Sequence, residues 1–138
     1  MSIGLSWYIE DHIILLAASG DVNTDEIHQT MEKVATLIEQ SNADLVHLII
    51  DLNEAAHSAL SIKARVEAVR PALSHPRCGW VILVGQKNPV ANFVSSTTAQ
   101  IFKTRFRSFP TIEEGLEFLK DMVPNLPEFP TELSDKSI

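Results

Sequence analysis

A chain of 138 residues suits one domain, long enough to bury about two thirds of its unfolded surface without covalent staples. Its hydrophobic share of 45%, charged share of 21% and net charge of −7 are those of an ordinary soluble protein and give no expectation of a nucleic-acid partner. Cys78 is the only cysteine, which excludes an intramolecular disulfide and points to a reducing, cytoplasmic setting. No Lys or Arg precedes Lys33, so the start does not read as a secretory or mitochondrial leader. The apolar run of residues 13–18 is far too short to span a bilayer, and a membrane protein is not expected.

Residues 5–9 and 13–18 read as two strands joined by Glu10, Asp11 and His12, a connection short enough to force antiparallel pairing. Asn23 and Glu26 then form a capping box for a helix ending near Gln40, with Ile27, Met31, Val34 and Ile38 on its apolar face. Residues 45–51 (Leu-Val-His-Leu-Ile-Ile-Asp) are almost wholly apolar and β-branched, as expected of a strand buried on both faces, and a polar loop of residues 53–61 is expected after it. A second helix is expected from Ser61, burying Ile62, Val66, Val69 and Leu73, with a kink or early end at Pro71. Residues 78–84 form another apolar strand, and Asn88 with Pro89 opens a third helix whose core stripe reads Val90, Phe93, Val94, Thr97 and Ile101. A short strand over 105–109 precedes a last helix, capped by Thr111 with Glu114 and burying Ile112, Leu116 and Leu119.

The resulting order, β-β-α-β-α-β-α-β-α, implies an α/β fold with a mixed, mostly parallel five-stranded sheet and four helices. Residues 1–123 form the domain, and 124–138 read as a flexible acidic tail with prolines at 124, 127 and 130. Sequentially ordered crossovers put helices mainly on one sheet face, so a homodimer covering the other is compatible with the pattern.

Charge is distributed unevenly: residues 1–75 carry −7, residues 76–110 carry +5 with no acid, and residues 111–138 carry −5. The basic block, with Lys87, Lys103, Arg105 and Arg107, is a candidate docking patch for an acidic partner or a phosphate. Catalytic signatures are missing. The five glycines make no phosphate-binding loop, and no serine sits in a nucleophile elbow. His28 and Glu32 form a solvated pair beside the apolar stripe, so no metal site is expected. His47, inside the central strand, reads as a hydrogen-bonded core histidine. Asp51, His57 and Ser58 crowd in or beside one loop, unlike a triad convergent from separate elements, and the reading is of a non-enzyme without cofactors.

Several stretches resemble the STAS-like families, founded on the bacterial anti-anti-sigma factors (SpoIIAA-like proteins). They are the hairpin ending in Ser-Gly-Asp-Val, the strand closing in Ile-Ile-Asp-Leu, the strand Trp-Val-Ile-Leu-Val-Gly, and the close Phe-Arg-Ser-Phe-Pro-Thr-Ile-Glu-Glu-Gly-Leu-Glu-Phe-Leu. Together they cover residues 5–122. The run His75-Pro76-Arg77 is similar to a SpoIIAA-like branch of unassigned function that has also been grouped with CRAL/TRIO lipid-binding domains. The resemblance implies regulation by protein contact, and a phosphorylated serine at the start of the second helix. This chain reads His57-Ser58-Ala59-Leu60-Ser61 there, without the Asp-Ser-Ser-Gly pattern. Ser61 is the nearest positional match for phosphorylation, and a phosphate on it would be favoured by the helix N-terminus and by Lys63 and Arg65.

Two functional expectations follow. The first is a non-catalytic regulatory or interaction module that meets a protein partner through Asp51, Asn53, His57, Ser58 and Ser61 and the helix behind them. The second is a carrier for a small amphiphilic or lipid-like anion, with a cavity near Phe93, Ile101 and Phe102 and Lys103 or Arg105 at its mouth.

Overall fold

The computed structural model describes residues 3–55, 62–86, 89–124 and 126–127. Its elements are β1 (Ile3–Ile9), β2 (Ile13–Gly20), α1 (Thr24–Gln40), β3 (Val46–Ala55), α2 (Ile62–Leu73), β4 (Cys78–Val84), α3 (Pro89–Ile101), β5 (Phe106–Phe109) and α4 (Ile112–Met122). The strands form one sheet in chain order. β1 runs antiparallel to β2, and the remaining neighbours are parallel, as the alternation of strand and helix requires. In the β1–β2 turn the His12 N–H donates to the Ile9 carbonyl at 3.0 Å, and Asp11 takes a left-handed φ of 69°. Short polar side chains tolerate that conformation better than most.

Both anticipated capping boxes form at their N-cap residues. Asn23 Oδ1 accepts the Glu26 N–H at 2.8 Å, and Thr111 Oγ1 accepts the Glu114 N–H at 3.3 Å. The other end of α1 has no basic residue in its last turn, and the missing donors come from outside the helix. Arg77 Nη2 donates to the carbonyl of the C-cap Ser41 and to that of Ala43 in the turn beyond, each at 2.6 Å. His75 orients the arginine's backbone: its Nδ1 accepts the Arg77 N–H at 3.0 Å, so its Nε2 carries the hydrogen donated to Glu39 Oε1 at 2.7 Å. The His75-Pro76-Arg77 run is therefore a clamp between α1 and β4.

Pro71 does not end α2, which continues to Leu73. A proline at 71 leaves the Glu67 carbonyl, four residues earlier, without its helical donor. His28 of α1 approaches that carbonyl with Nδ1 at 3.3 Å. A side chain from the neighbouring helix thus replaces the lost bond. The same imidazole lies 3.4 Å from Glu32 through Nε2.

Two apolar cores lie on the two sheet faces. The first joins Ile14, Leu16, Leu48 and Val81 to Met31, Val34 and Ile38 of α1 and Val69, Ala72 and Leu73 of α2, with Phe102 packed at its side. The second joins Tyr8, Ile9, Ile13, Ile49, Ile82 and Val84 to Leu119 of α4, with Trp80, Phe109 and Phe118 around it. Gly115 lets α4 lie against the sheet, since a Cβ there would stand 2.8 Å from Ile82 Cγ2. Trp80 and Phe118 meet edge to face at 4.8 Å. Val123 and Leu126 extend this packing beyond α4. The second face is thus covered, over this core, by the chain's own α4 and the segment after it.

The apolar stripe expected of α3 is not its buried face: Val94 and Thr97 are half-buried, the side chain of Val90 lies outside the described residues, and the two largest members face solvent. Phe93 is 66% and Ile101 53% exposed, whereas Ser95, Thr98 and Ala99 are buried. Small side chains let α3 settle close to the sheet beside a four-residue edge strand, and Thr98 satisfies its hydroxyl on the Val94 carbonyl at 2.8 Å. Bulk alone misassigned this face. Phe93 and Ile101, expected to line a cavity with Phe102, stand on the surface of the helix, while Phe102 packs against the first core.

Candidate interaction site at the end of the central strand

β3 runs four residues beyond the expected boundary, so Asp51 lies within the strand, paired with Ala17 and Val84, and does not stand at the strand's exit. Asn53 is likewise a strand residue, and the expected loop of 53–61 gives up its first three positions to β3. The pairing with β2 slips between Ala17 and Ser19, where β3 carries one extra residue. Asp51 Oδ1 holds this irregular stretch by accepting two bonds from Asn53, one from its backbone N–H at 3.0 Å and one from Nδ2 at 2.8 Å. The Asn53 side chain in turn lies over Gly85, whose φ of +79° and lack of a side chain are both needed. A Cβ at 85 would stand 2.5 Å from Asn53 Oδ1.

Asp51, Asn53 and Gly85 therefore form a fixed corner at the carboxyl end of the parallel strands, where ligands and partners collect in open α/β sheets. Asn53 and Glu54 are exposed there, as is Lys63 in the first turn of α2. His57, Ser58 and Ser61 lie outside the described residues, as do Lys87 and Asn88. The structure brings together two of the five expected contact residues, Asp51 and Asn53, and adds Gly85 as their support. The glycine's signal in the sequence was its position directly after an apolar strand.

The basic residues have separate tasks. Lys103 ends α3 in a left-handed conformation, φ 56°, with its N–H on the Gln100 carbonyl at 3.0 Å and that of Thr104 on Ala99 at 2.9 Å. That is the paired closure of a Schellman-type helix end. Arg107 lies over the Phe118 ring at 5.5 Å on the second face. Arg105 precedes β5 with its carbonyl accepting the Val81 N–H at 2.8 Å. Arg65, expected to favour a phosphate beside Lys63, is instead turned under α2 on the stripe of Ala68, Val69 and Ala72 and is only partly exposed. Burial lowers its guanidinium below the usual value.

His47 is the hydrogen-bonded core histidine expected of it. It is 2% exposed, and its Nδ1 accepts the Trp80 N–H at 2.9 Å. The β3–β4 register slips between Val46 and Leu48, and the imidazole takes up the amide that the slip frees. Gly79 makes room for it: a Cβ there would stand 2.4 Å from Nδ1. Burial, followed by the charges of His12 and Arg105, lowers the His47 pKa to about 4. The ring is therefore neutral at pH 7 and a poor general base. It lies four residues from Asp51 along the strand, about 13 Å, too far for a hydrogen-bonded pair. Burial pushes the Cys78 thiol up to about 12, so it supplies no thiolate near neutrality. Among the described residues, no group of three His, Cys, Asp or Glu side chains is placed to hold a metal ion, and no helix is long and apolar enough to cross a membrane.

The architecture recurs in solved structures. An uncharacterised protein of the DUF3478 family with a SpoIIAA-like fold, from Shewanella loihica PV-4, aligns with a TM-score of 0.60 at 18% identity, over 85% of this chain and 91% of its own. The anti-sigma factor antagonist SpoIIAA in its unphosphorylated form aligns at 0.59 and 15% identity, over 87% and 99% of the two chains. The Bacillus cell fate determinant SpoIIAA in its phosphorylated form aligns at 0.55 and 12% identity, over 86% and 99%. No family model matches the sequence, and no curated protein does either. The chain has the SpoIIAA-like (STAS) fold, an architecture whose solved examples include a regulatory antagonist of an anti-sigma factor.

Proposed function

We propose that the chain is a non-catalytic regulatory module that acts by binding a protein partner at the carboxyl end of the sheet. The working surface comprises the end of β3 with Asp51 and Asn53, the segment carrying His57, Ser58 and Ser61, and the first turns of α2. The observation that carries this reading is the use of the Asp51 carboxylate. It is spent on holding Asn53, leaving a stiff, exposed, polar corner suited to recognition. The SpoIIAA-like fold supports it as analogy. Phe93 and Ile101 are exposed on α3, and Phe93, in the second turn of a helix that starts at this end of the sheet, adds apolar surface of the kind contacts use. Their exposure also weighs against the amphiphile carrier, which needs them to line a cavity. A phosphate on Ser61 would switch this surface by adding charge where the partner docks.

Photo-crosslinking residues placed at Asn53 or Lys63, and as controls at Thr36 on α1 or Lys120 on α4, test the site in cells. One discrete adduct from the first pair and none from the controls is expected. An adduct from the controls alone would remove the surface from consideration. The serine switch has its own test: with the cognate class of kinase, an unmodified Ser61 together with unchanged partner binding by Ser61→Asp would end it and leave the module reading standing.

A further inference from the structure

α2 links β3 to β4 and α3 links β4 to β5, so the two helices straddle β4 and pack against each other on the first sheet face. Arg65 lies in the first turn of α2, three and four residues before buried Ala68 and Val69, and so points toward the sheet. Its Nε is buried and has no hydrogen-bond partner. No carboxylate among the described residues is paired with it. Ser95, on the sheet-facing side of α3 with Thr98 and Ala99, is 9% exposed. Its hydroxyl is also without a partner, although a helical serine can ordinarily return to the carbonyl one turn back, as Thr98 does.

A buried guanidinium N–H and a buried hydroxyl left without partners beneath adjacent helices are costly in a folded protein. Buried polar groups are otherwise almost always satisfied, and the Arg65 charge has no carboxylate partner among the described residues. Both groups donate hydrogen bonds. Arg65 sits in the first turn of α2, where the backbone dipole also favours negative charge, and Ser95 sits a turn further into α3.

We infer that the wedge between α2 and α3 binds a small oxyanion group, a phosphate or a carboxylate, held by the Arg65 guanidinium and the Ser95 hydroxyl. The guanidinium offers two parallel N–H donors to such a group, and the hydroxyl adds a third from the α3 side. The anion replaces the missing counter-charge and ties α2 to α3. This site lies on the sheet-facing side of α2, whereas the proposed working surface uses the exposed side of the same turns, and it does not depend on a modified Ser61.

Thermal melts in potassium phosphate, potassium acetate and potassium chloride at equal ionic strength test it on the unmodified chain. With the binding anion at ten times its dissociation constant, linkage predicts a melting temperature about 5 °C above the chloride value. Phosphate also stabilises folded chains by exclusion from their surface, so the diagnostic rise is the excess over the same salt's effect on Arg65→Met: an excess with phosphate alone identifies a phosphate group, and with acetate alone a carboxylate. No rise with either overturns the proposal. Arg65→Met removes the unpaired charge while keeping the aliphatic stem. It is expected to melt no lower than the parent in chloride and to lose the part of the rise due to binding. A rise of equal size in Arg65→Met also overturns the proposal. If that variant does not fold, Arg65→Lys and Ser95→Ala carry the test: each must weaken anion affinity about tenfold, the loss of one good polar contact. Unchanged affinity in both rejects the site.

Discussion

His47 makes stability depend on pH in a way that can be worked out from one residue. Its pKa falls from 6.5 in the unfolded chain to about 4 in the folded one, because burial disfavours the imidazolium. Between these values the unfolded chain holds the proton and the native state does not, so stability is complete above pH 6.5 and declines as pH falls toward 4. The shift corresponds to about 3 kcal/mol in total, of which about 2 kcal/mol is lost between pH 7 and pH 5. Urea unfolding of the parent and of His47→Asn at both pH values isolates this contribution. The substituted asparagine keeps an acceptor for the Trp80 N–H but cannot titrate, and the pH dependence of the carboxylates cancels in the comparison. The parent should lose about 2 kcal/mol more than the variant on going to pH 5. Equal losses would refute the account, as would a His47 ring signal titrating near 6.5 by NMR.

Other substitutions probe the packing that positions the site. Gly79→Ala should cost about 2–4 kcal/mol in urea unfolding, because the new methyl displaces the His47 ring and frees the Trp80 amide. Combined with His47→Ala, its cost should be clearly less than additive. Arg77→Met should destabilise by about 2–3 kcal/mol through the loss of its bonds to the end of α1, while leaving the α2 surface able to bind. Lys103→Gly should stabilise by about 1 kcal/mol, since glycine enters the left-handed region freely. Phe93→Ser should change stability by less than about 0.5 kcal/mol, whereas a core phenylalanine would cost several times more. A large loss would return Phe93 to the interior.

The sheet was legible because its strands are apolar runs bounded by turn residues, and both capping boxes were legible because short side chains announce helix starts. Four features were not, each for a physical reason. The end of β3 is polar, so composition suggested a loop, yet Asp51 and Asn53 satisfy each other locally and the ladder with β2 resumes at Glu54. The buried face of α3 is set by close approach of small residues, which a search for large apolar ones misses. Pro71 marks an orphan carbonyl at Glu67, but the sequence does not reveal that His28, 39 residues earlier in the chain, will answer it. The basic block is contiguous in sequence and divided in space: Arg77 clamps α1, Arg107 covers Phe118 and Lys103 closes α3. His47 was read correctly because a lone polar residue in a buried strand must find a partner, although that partner, the Trp80 amide, depends on a slip in register.

The working surface is tested most directly by the affinity of the crosslinked partner, measured by calorimetry, for the parent, Lys63→Glu and, as a control, Thr36→Glu. Both positions are exposed, so melting temperatures should stay together. The account predicts at least a tenfold loss of affinity for Lys63→Glu, about 1.4 kcal/mol, and no change for Thr36→Glu. Full affinity in Lys63→Glu with a loss in Thr36→Glu would contradict it and move the interface to α1.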